Sequence, residues 1–338
     1  MKLISGVSMI LFIWIVSCTT EESSTTPFPI AKPEHFPPIL YNLESNPLTQ
    51  EGFKLGRKLF NDPILSSDGS VACSNCHVKQ AAFTDPQHRL SLGVDERAGI
   101  RNAPSIANMA FFSEFVWDGG IIHLDFVPPN AIENPLEMNE SLSHVMNKLN
   151  RHAEYPELFR QAFPDMDTIT SAYLLKSLSQ YQLHLISATS RYDQVILGKE
   201  VFSEDEKIGF ELFSNKCSQC HAGQLFTNMG FSNNGLDTEF ADLGRARITE
   251  SVKDLGKFRI PSLRNCAVTA PYMHDGRFKS LEEVLEHYEH GVHDSPTLDP
   301  LLKEAGHLGI FLSANEKQSL LHFLNTLTDH DFIYNPDL

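Results

Sequence analysis

The sequence has few cysteines and tryptophans, a shortage of positive charge and no apolar run long enough to span a membrane. Its 338 residues include 6 Cys and 2 Trp, and 27 Lys and Arg stand against 43 Asp and Glu, for a formal net charge of -16. This acidic balance argues against nucleic-acid binding, which requires basic surface. A soluble protein partner is instead expected to present a basic patch. No convincing alternation of apolar and polar residues appears, so strands are not expected to dominate.

The longest apolar run lies near the N-terminus, at residues 7–16. It is too short for a stable transmembrane helix and has the length of a signal-peptide core. The run ends in Ile15-Val16-Ser17-Cys18, which resembles a bacterial lipobox. In that interpretation residues 1–17 are removed and lipid on Cys18 anchors the protein to a membrane of the bacterial cell envelope, facing the periplasm. The alternative is a free Cys18 behind an ordinary signal peptide.

The other five cysteines provide two repeated motifs and one single residue, with no disulfide expected. The motifs are Cys-x-x-Cys-His segments at 73–77 and 217–221, and Cys266 is expected to be a buried apolar residue. Each motif supplies two thiols that attach haem covalently and an imidazole that binds its iron: Cys73, Cys76 and His77, then Cys217, Cys220 and His221. A redox dithiol would not need the His, and a zinc site would have its second half within about 20 residues. The sequence therefore predicts two haem c groups.

The rest of the chain shows helical periodicity and irregular connections. A short repeat, 56–60 and 209–213, precedes each haem motif. Apolar residues recur at helical spacing in three further segments: Leu142, Val145, Met146 and Leu149; Leu174, Leu178, Tyr181 and Leu185; Leu281, Val284, Leu285 and Tyr288. We predict a mainly α fold with two cytochrome c-like haem domains and long irregular connections. The predicted division is a flexible tether at 18–45, a first haem domain at 46–198 and a second at 199–338, whose C-terminal helix has the option of packing back on the first.

The order of motifs is similar to that of the bacterial di-haem cytochrome c peroxidase and MauG family. The resemblance covers about Leu48 to Leu327 and is carried by Ala82–Asp85, Arg101–Ser105, Trp117–Gly119, Asn134–Met138, Pro261–Asn265 and Ala270–Gly276. It implies a first haem that reacts with hydrogen peroxide and a second haem that receives electrons.

Two residues match catalytic positions of that family. Glu137 corresponds to the distal glutamate that moves a proton between the peroxide oxygens. Trp117 corresponds to the aromatic residue between the haems, where an oxidisable indole can relay charge. The alternatives are a solvated loop carboxylate for Glu137 and an ordinary core aromatic for Trp117.

Two ligand positions resemble the MauG-like branch. Val94 stands where classical members carry a His that blocks the first haem, so this iron is expected to be five-coordinate; nearby His88 is either a substitute ligand or a surface residue. Tyr288 stands where classical members have an axial Met, and a phenolate oxygen favours oxidised iron. Alternatively Tyr288 only packs, and His287, Met273 or His290 binds the second iron.

The resemblance also implies a calcium ion between the haems, bound through the Asn102 side chain and the carbonyls of Thr269 and Pro271. Two differences affect the peroxide pocket: Val127 replaces a Gln of many members, and Gly120 replaces an Arg. The pocket is therefore expected to be less polar than theirs.

Three functions are compatible with these residues. The first is a peroxidase that reduces hydrogen peroxide with electrons from a small cytochrome c or cupredoxin. The second is a MauG-type oxidase or maturase that acts on a protein substrate. The third is a non-enzymatic electron carrier or haem sensor, which would not need Glu137 beside an open iron. The oligomeric state is left open, including a homodimer.

Overall fold

The computed structural model describes residues 25–304 and 306–338. The expected signal peptide and Cys18 therefore lie outside the described residues. Among the helices that are described, none has the length and apolar character needed to cross a membrane.

The described chain is mainly α-helical, as the sequence predicts. Its helices are α1 Gln50–Asn61, α2 Cys73–Cys76, α3 Val127–Ile132, α4 Leu142–Arg151, α5 Tyr155–Ala162, α6 Ser171–Leu183, α7 Arg191–Ile196, α8 Glu204–Lys216, α9 Ala246–Thr249, α10 Leu281–Glu286, α11 Ala314–Asn325 and α12 His330–Ile333, with a π-helix at His287–Gly291. Two antiparallel pairs of short strands complete it: β1 Phe231–Ser232 with β2 Phe258–Arg259, and β3 Lys303–Glu304 with β4 His307–Leu308.

The first haem motif follows α1, which packs against α6. Thr49 caps α1 by accepting a hydrogen bond from Gly52 N. Gly56 lets the helices approach closely, because a Cβ at this position would lie 2.0 Å from Ser177 O. Around this contact Leu59, Leu174 and other apolar residues form the larger of the two main cores. The helix pair thus supports the first haem motif, because α2 follows α1 and packs against it.

The second half repeats this arrangement with α8 and α11. Capping boxes begin both helices, Ser203 with Glu206 and Ser313 with Glu316. A Cβ at Gly209 would lie 2.0 Å from Ser319 O, which reproduces the contact at Gly56. The short sequence repeat therefore marks equivalent helix crossings in the two halves.

The expected tether at 18–45 is wrong for residues 25–45. Phe36 is 4% exposed and belongs to the first core. Phe28 stacks on His184 with ring centroids 4.4 Å apart, and its N–H donates to Leu48 O. The segment is rich in polar residues and proline but also contains a few aromatic residues. Their packing against the first half holds the segment in place.

The end of the chain returns to the first half. Phe332 and Ile333 in α12 are part of the first core, and the Phe332 ring lies 5.6 Å from that of Phe83. Before α12, the fully buried Asp329 accepts hydrogen bonds from Ser187 Oγ and Thr189 Oγ1, at 3.0 and 2.8 Å. Polar and apolar contacts together connect the last helices to the first haem region.

Candidate functional site

The first haem motif is formed by the four-residue α2 and the residue that ends it. Cys73 begins α2, Cys76 is its last residue, and His77 caps it. His77 Nδ1 lies 2.8 Å from Phe83 O, a contact that orients the ring and leaves Nε2 for a metal. Burial lowers the pKa of His77, which favours the neutral imidazole that a ligand requires. Ser105 Oγ donates a hydrogen bond of 2.6 Å to Ala82 O, the carbonyl of the residue before Phe83.

The second motif has the same supporting contacts. His221 Nδ1 lies 3.1 Å from Phe226 O, and burial lowers the pKa of this imidazole too. Ser262 Oγ donates to Leu225 O at 2.6 Å, as Ser105 does in the first half. The repeated contacts indicate that both imidazoles are positioned for the same chemistry.

The thiols of the motifs are unsuited to disulfide exchange. Burial raises the pKa of Cys73 and of Cys217 to about 12, and neither forms a disulfide with another cysteine of the described ranges. Reactive dithiols instead have a lowered pKa. This electrostatic environment disfavours the redox-dithiol alternative.

A cavity of about 690 Å³ adjoins the second motif. Cys217, Cys220 and His221 line it together with mainly apolar side chains, and its volume is in the range of cofactor sites. Arg259 also lines the cavity, and its buried Nη1 has no hydrogen-bond partner among the residues that the structure describes. Burial lowers the pKa of Arg259 to about 10. A buried guanidinium requires an anion, which a haem carboxylate would supply, so these residues fit haem c.

Tyr288 faces this cavity from the π-helix that continues α10. Such helices often occur at functional sites. Burial raises the pKa of Tyr288 to about 12, and a hydrogen bond from Asn234 acts in the opposite direction.

The structure separates the rival ligands of the second iron. Met273 lines the same cavity as Tyr288. His287 instead directs Nε2 to Asn234 O at 3.0 Å, and His290 is 64% exposed and paired with Glu289 at 3.1 Å. Met273 is therefore the rival that shares the cavity with Tyr288.

Glu137 lies beside the first haem motif. Its carboxylate acts electrostatically on both Cys73 and Cys76. Burial raises the pKa of Glu137, while a hydrogen bond from Asn134 Nδ2 to Oε1, 2.7 Å long, opposes this effect. A carboxyl with a raised pKa holds a proton more readily than a free glutamate does, which suits it to proton transfer.

Val94 adjoins Glu137 through the main chain. Its N–H donates to Glu137 O at 2.8 Å, and its side chain is 3% exposed. Gly93 permits this approach, because a Cβ there would lie 2.2 Å from Leu136 O. His88, the other ligand candidate, pairs with Asp85 at 3.1 Å and is 39% exposed.

Trp117 belongs to the first half of the sequence but lines the cavity of the second motif. Its Nε1 donates to Asn102 O at 2.8 Å, and Asn102 N donates to His274 O at 2.7 Å. The indole is therefore connected to the loop that precedes α10 through the main chain of one residue, Asn102.

Asn102 is 5% exposed, and its Nδ2 donates to Arg89 O at 3.2 Å. Thr269 and Pro271 lie in the loop that leads to His274, to which Asn102 is bonded. The structure thus joins the expected calcium-binding segments through main-chain contacts.

Val127 and Gly120 are the two positions at which the sequence differs from the Gln and Arg of many family members. Val127 begins α3, and a Cβ at Gly120 would meet Ile248.

Sequence reasoning missed a longer repeat around these residues. Asn108 and Asn265 share a φ of 63°. Isolated bridges follow at equal spacing, Phe115 to Ile121 and Tyr272 to Phe278. Trp117 and His274 occupy equivalent places within these bridges. The dipeptide Pro-Ser before each Asn is the signal that could have revealed the repeat. Asn234 and Arg259 were also missed, because only the fold places them at the same cavity as the second motif.

Two similar haem-binding halves with an ionisable group beside one motif define a di-haem c-type oxidoreductase. A family model described as di-haem cytochrome c peroxidase matches residues 50–201. The chain is 36% identical over 289 residues to methylamine utilization protein MauG of Methylorubrum extorquens, covering 84% of this chain and 80% of that protein. It is 30% identical over 331 residues to cytochrome-c peroxidase IdrP1 of Pseudomonas sp., covering 87% and 85%.

A crystal structure of a MauG-like protein associated with microbial copper homeostasis is also similar, with a TM-score of 0.83 and 33% identity over 92% of this chain and 98% of that one. The protein belongs to the di-haem cytochrome c peroxidase family, which includes MauG, and is an enzyme with two haem c groups.

Proposed function

We propose that the protein reduces hydrogen peroxide to water at the first haem with electrons delivered through the second. The observation that carries the proposal is the position of Glu137, a carboxyl with a raised pKa beside the first motif and bonded through its main chain to Val94. Relatives named cytochrome c peroxidases support this choice of substrate. Bound haem would supply the redox chemistry.

The protein residues have separate tasks in this proposal. His77 and His221 hold the two irons, and the valine at position 94 cannot block the first one. Glu137 takes a proton from one peroxide oxygen and returns it to the other, so that water leaves. Asn134 keeps this carboxyl oriented through its 2.7 Å hydrogen bond. Trp117 connects the first half to the second cavity and relays electrons.

A MauG-type oxidase is the second candidate, and Tyr288 is the observation that favours it. The phenol faces the second cavity, and a relative named MauG shares 36% of aligned residues. In this candidate a protein substrate, rather than a small donor protein, would provide the electrons. Tyr288 as a ligand of the second haem would be compatible with both candidates, because it would set the potential and not the substrate.

Four further assignments belong to this proposal. We place calcium at Asn102, Thr269 and Pro271, and a small cytochrome c or cupredoxin as the electron donor. We also place the protein in the periplasm, held to the membrane by lipid on Cys18, and leave a homodimer open. Peroxidases and MauG proteins among the relatives support export of the chain.

Stopped-flow spectroscopy of the oxidised holoprotein tests the proposal. Hydrogen peroxide should react without prior reduction, and adding a reduced donor protein should give two donor molecules oxidised for each peroxide consumed. Reaction with peroxide but no turnover of any small donor would favour the MauG-type candidate. No reaction with peroxide in the oxidised or the half-reduced state would exclude both and favour the electron carrier.

A further inference from the structure

Asn234 lies in a short segment that several hydrogen bonds fix at the wall of the second cavity. The preceding residue, Asn233, is 2% exposed, and its Nδ2 donates to Ser295 Oγ and to Thr297 Oγ1, both at 3.0 Å. Its Oδ1 accepts from Gly235 N at 2.9 Å. The main chain on both sides of Asn234 is therefore restrained, and its side chain has a defined position in the cavity.

Asn234 contacts two of the side chains that could bind the second iron. Its Nδ2 donates to Met273 Sδ at 3.3 Å, and its carbonyl oxygen lies 3.0 Å from His287 Nε2. Tyr288 and His221 face the same cavity. Asn234 thus occupies the sulfur of Met273 and a ring nitrogen of His287. Its side-chain hydrogen bond to Tyr288 instead favours the ionised phenol that an oxygen ligand requires.

We propose that Asn234 is a positioning residue that decides which side chain ligates the second haem, because it holds Met273 and His287 away from the iron. The proposal rests on the ligand role proposed for Tyr288. Its consequence concerns redox potential, since a thioether ligand supports ferrous iron and a phenolate does not. The chain contains both Tyr288 and Met273. The hydrogen bond from Asn234, which is not itself a ligand, would then determine which of the two binds the second haem.

Substitutions in the Tyr288→Phe background test the restraint, because they remove the competing phenolate. In Tyr288→Phe alone, Asn234 should keep Met273 away, so the second haem shows little thioether ligation. Tyr288→Phe/Asn234→Leu should raise the ratio of methionine-ligated to unligated haem by about five- to tenfold, the range given by loss of one hydrogen bond. The readouts are the thioether-to-iron absorption band and the reduction potential of the ferric holoprotein, which should rise together.

Matched variants separate this role from a general effect on packing. Adding Met273→Leu to the double variant should abolish the thioether band. Asn215→Leu alters an exposed asparagine at the same cavity and should leave the spectrum unchanged. Asn234→Ser, which is too short to reach Met273, serves if the leucine variant does not fold. An equal thioether signal with and without Asn234, or imidazole ligation in its place, would overturn the proposal.

The same series distinguishes failure of the underlying assignment. If Tyr288→Phe leaves the second haem with the spectrum and potential of the unsubstituted protein, the ligand role of Tyr288 is wrong. If Tyr288→Phe changes the spectrum and Asn234→Leu has no further effect, only the role of Asn234 is wrong.

Discussion

The two halves of the protein share one scaffold but differ in the side chains beside their haem motifs. In each, a glycine lets two helices approach closely, and a serine hydroxyl and a backbone carbonyl fix the haem-binding region. Gly56 and Gly209 mark the crossings, and His77 and His221 are held by Phe83 O and Phe226 O. The common contacts position haem but do not determine what each haem does.

The halves differ in the helix that follows the repeated β-bridge, which joins Phe115 to Ile121 in the first half and Tyr272 to Phe278 in the second. The same number of residues after each bridge leads to Ala131 in α3 and to Tyr288 in the π-helix. A methyl group thus stands in the first half where the second half has a phenol. The first half adds Glu137 just beyond this helix. Under the proposed function, one helix position and one carboxyl would distinguish a reactive half from an electron-transfer half of a repeated fold.

The largest expected effect is on the reactive half. Glu137→Gln keeps the size of the side chain but removes its proton transfer, so peroxide cleavage should slow by about 100-fold or more. Single-turnover stopped-flow absorbance measures this rate. Glu133→Gln changes an exposed glutamate near the same helix and should be close to unsubstituted. Equal rates for both variants would remove Glu137 from the mechanism.

Ala131→Tyr should make the first half resemble the second. A phenol at this position is expected to crowd or ligate the open side of the first iron and reduce the rate of peroxide binding by about tenfold or more. Asn130→Tyr, at the exposed neighbouring position, is the control. Resonance Raman spectroscopy of the ferric protein would show loss of the five-coordinate haem. Its persistence with a normal peroxide rate would show that the two helix positions are not equivalent.

Equivalent glycines should respond equally. Gly56→Ala and Gly209→Ala each place a methyl group against a rigid carbonyl, and the free energy of unfolding should fall by about 1–3 kcal/mol in each case. Gly99→Ala is the control, since its nearest contact is 3.6 Å. Urea unfolding followed by circular dichroism measures the change. A large loss in one half and none in the other would contradict the shared crossing.

The smallest effect concerns pH and stability. Because burial raises the pKa of Glu137, its ionised form is disfavoured in the folded state. Its favourable contribution is full below the unfolded pKa and is lost as pH rises through the folded pKa. Glu137→Gln should therefore stabilise the protein near pH 7 and have little effect in acid. Urea midpoints at the two pH values check the sign.

Local patterns predicted the attachment sites and several helices. Each Cys-x-x-Cys-His motif lies within five consecutive residues. The capping boxes that begin at Ser203 and Ser313 each span four residues, so both signals are visible in the sequence alone. The packing of Phe36, the π-helix at Tyr288 and the contacts of Asn234 depend on residues distant in sequence. Patterns of neighbouring residues do not reveal such contacts. The prediction of a flexible tether was therefore wrong for residues 25–45, and Asn234 was overlooked.

The return of the chain end to the first half has a consequence for biogenesis. Phe332 and Ile333 complete the first core, yet they are synthesised only after the helices of the second half, α8 to α11. The first haem region therefore cannot reach its final packing until the second half has emerged. Haem attachment at Cys73 and Cys76 would take place on an unfinished core, and the closing step would couple the maturation of both halves.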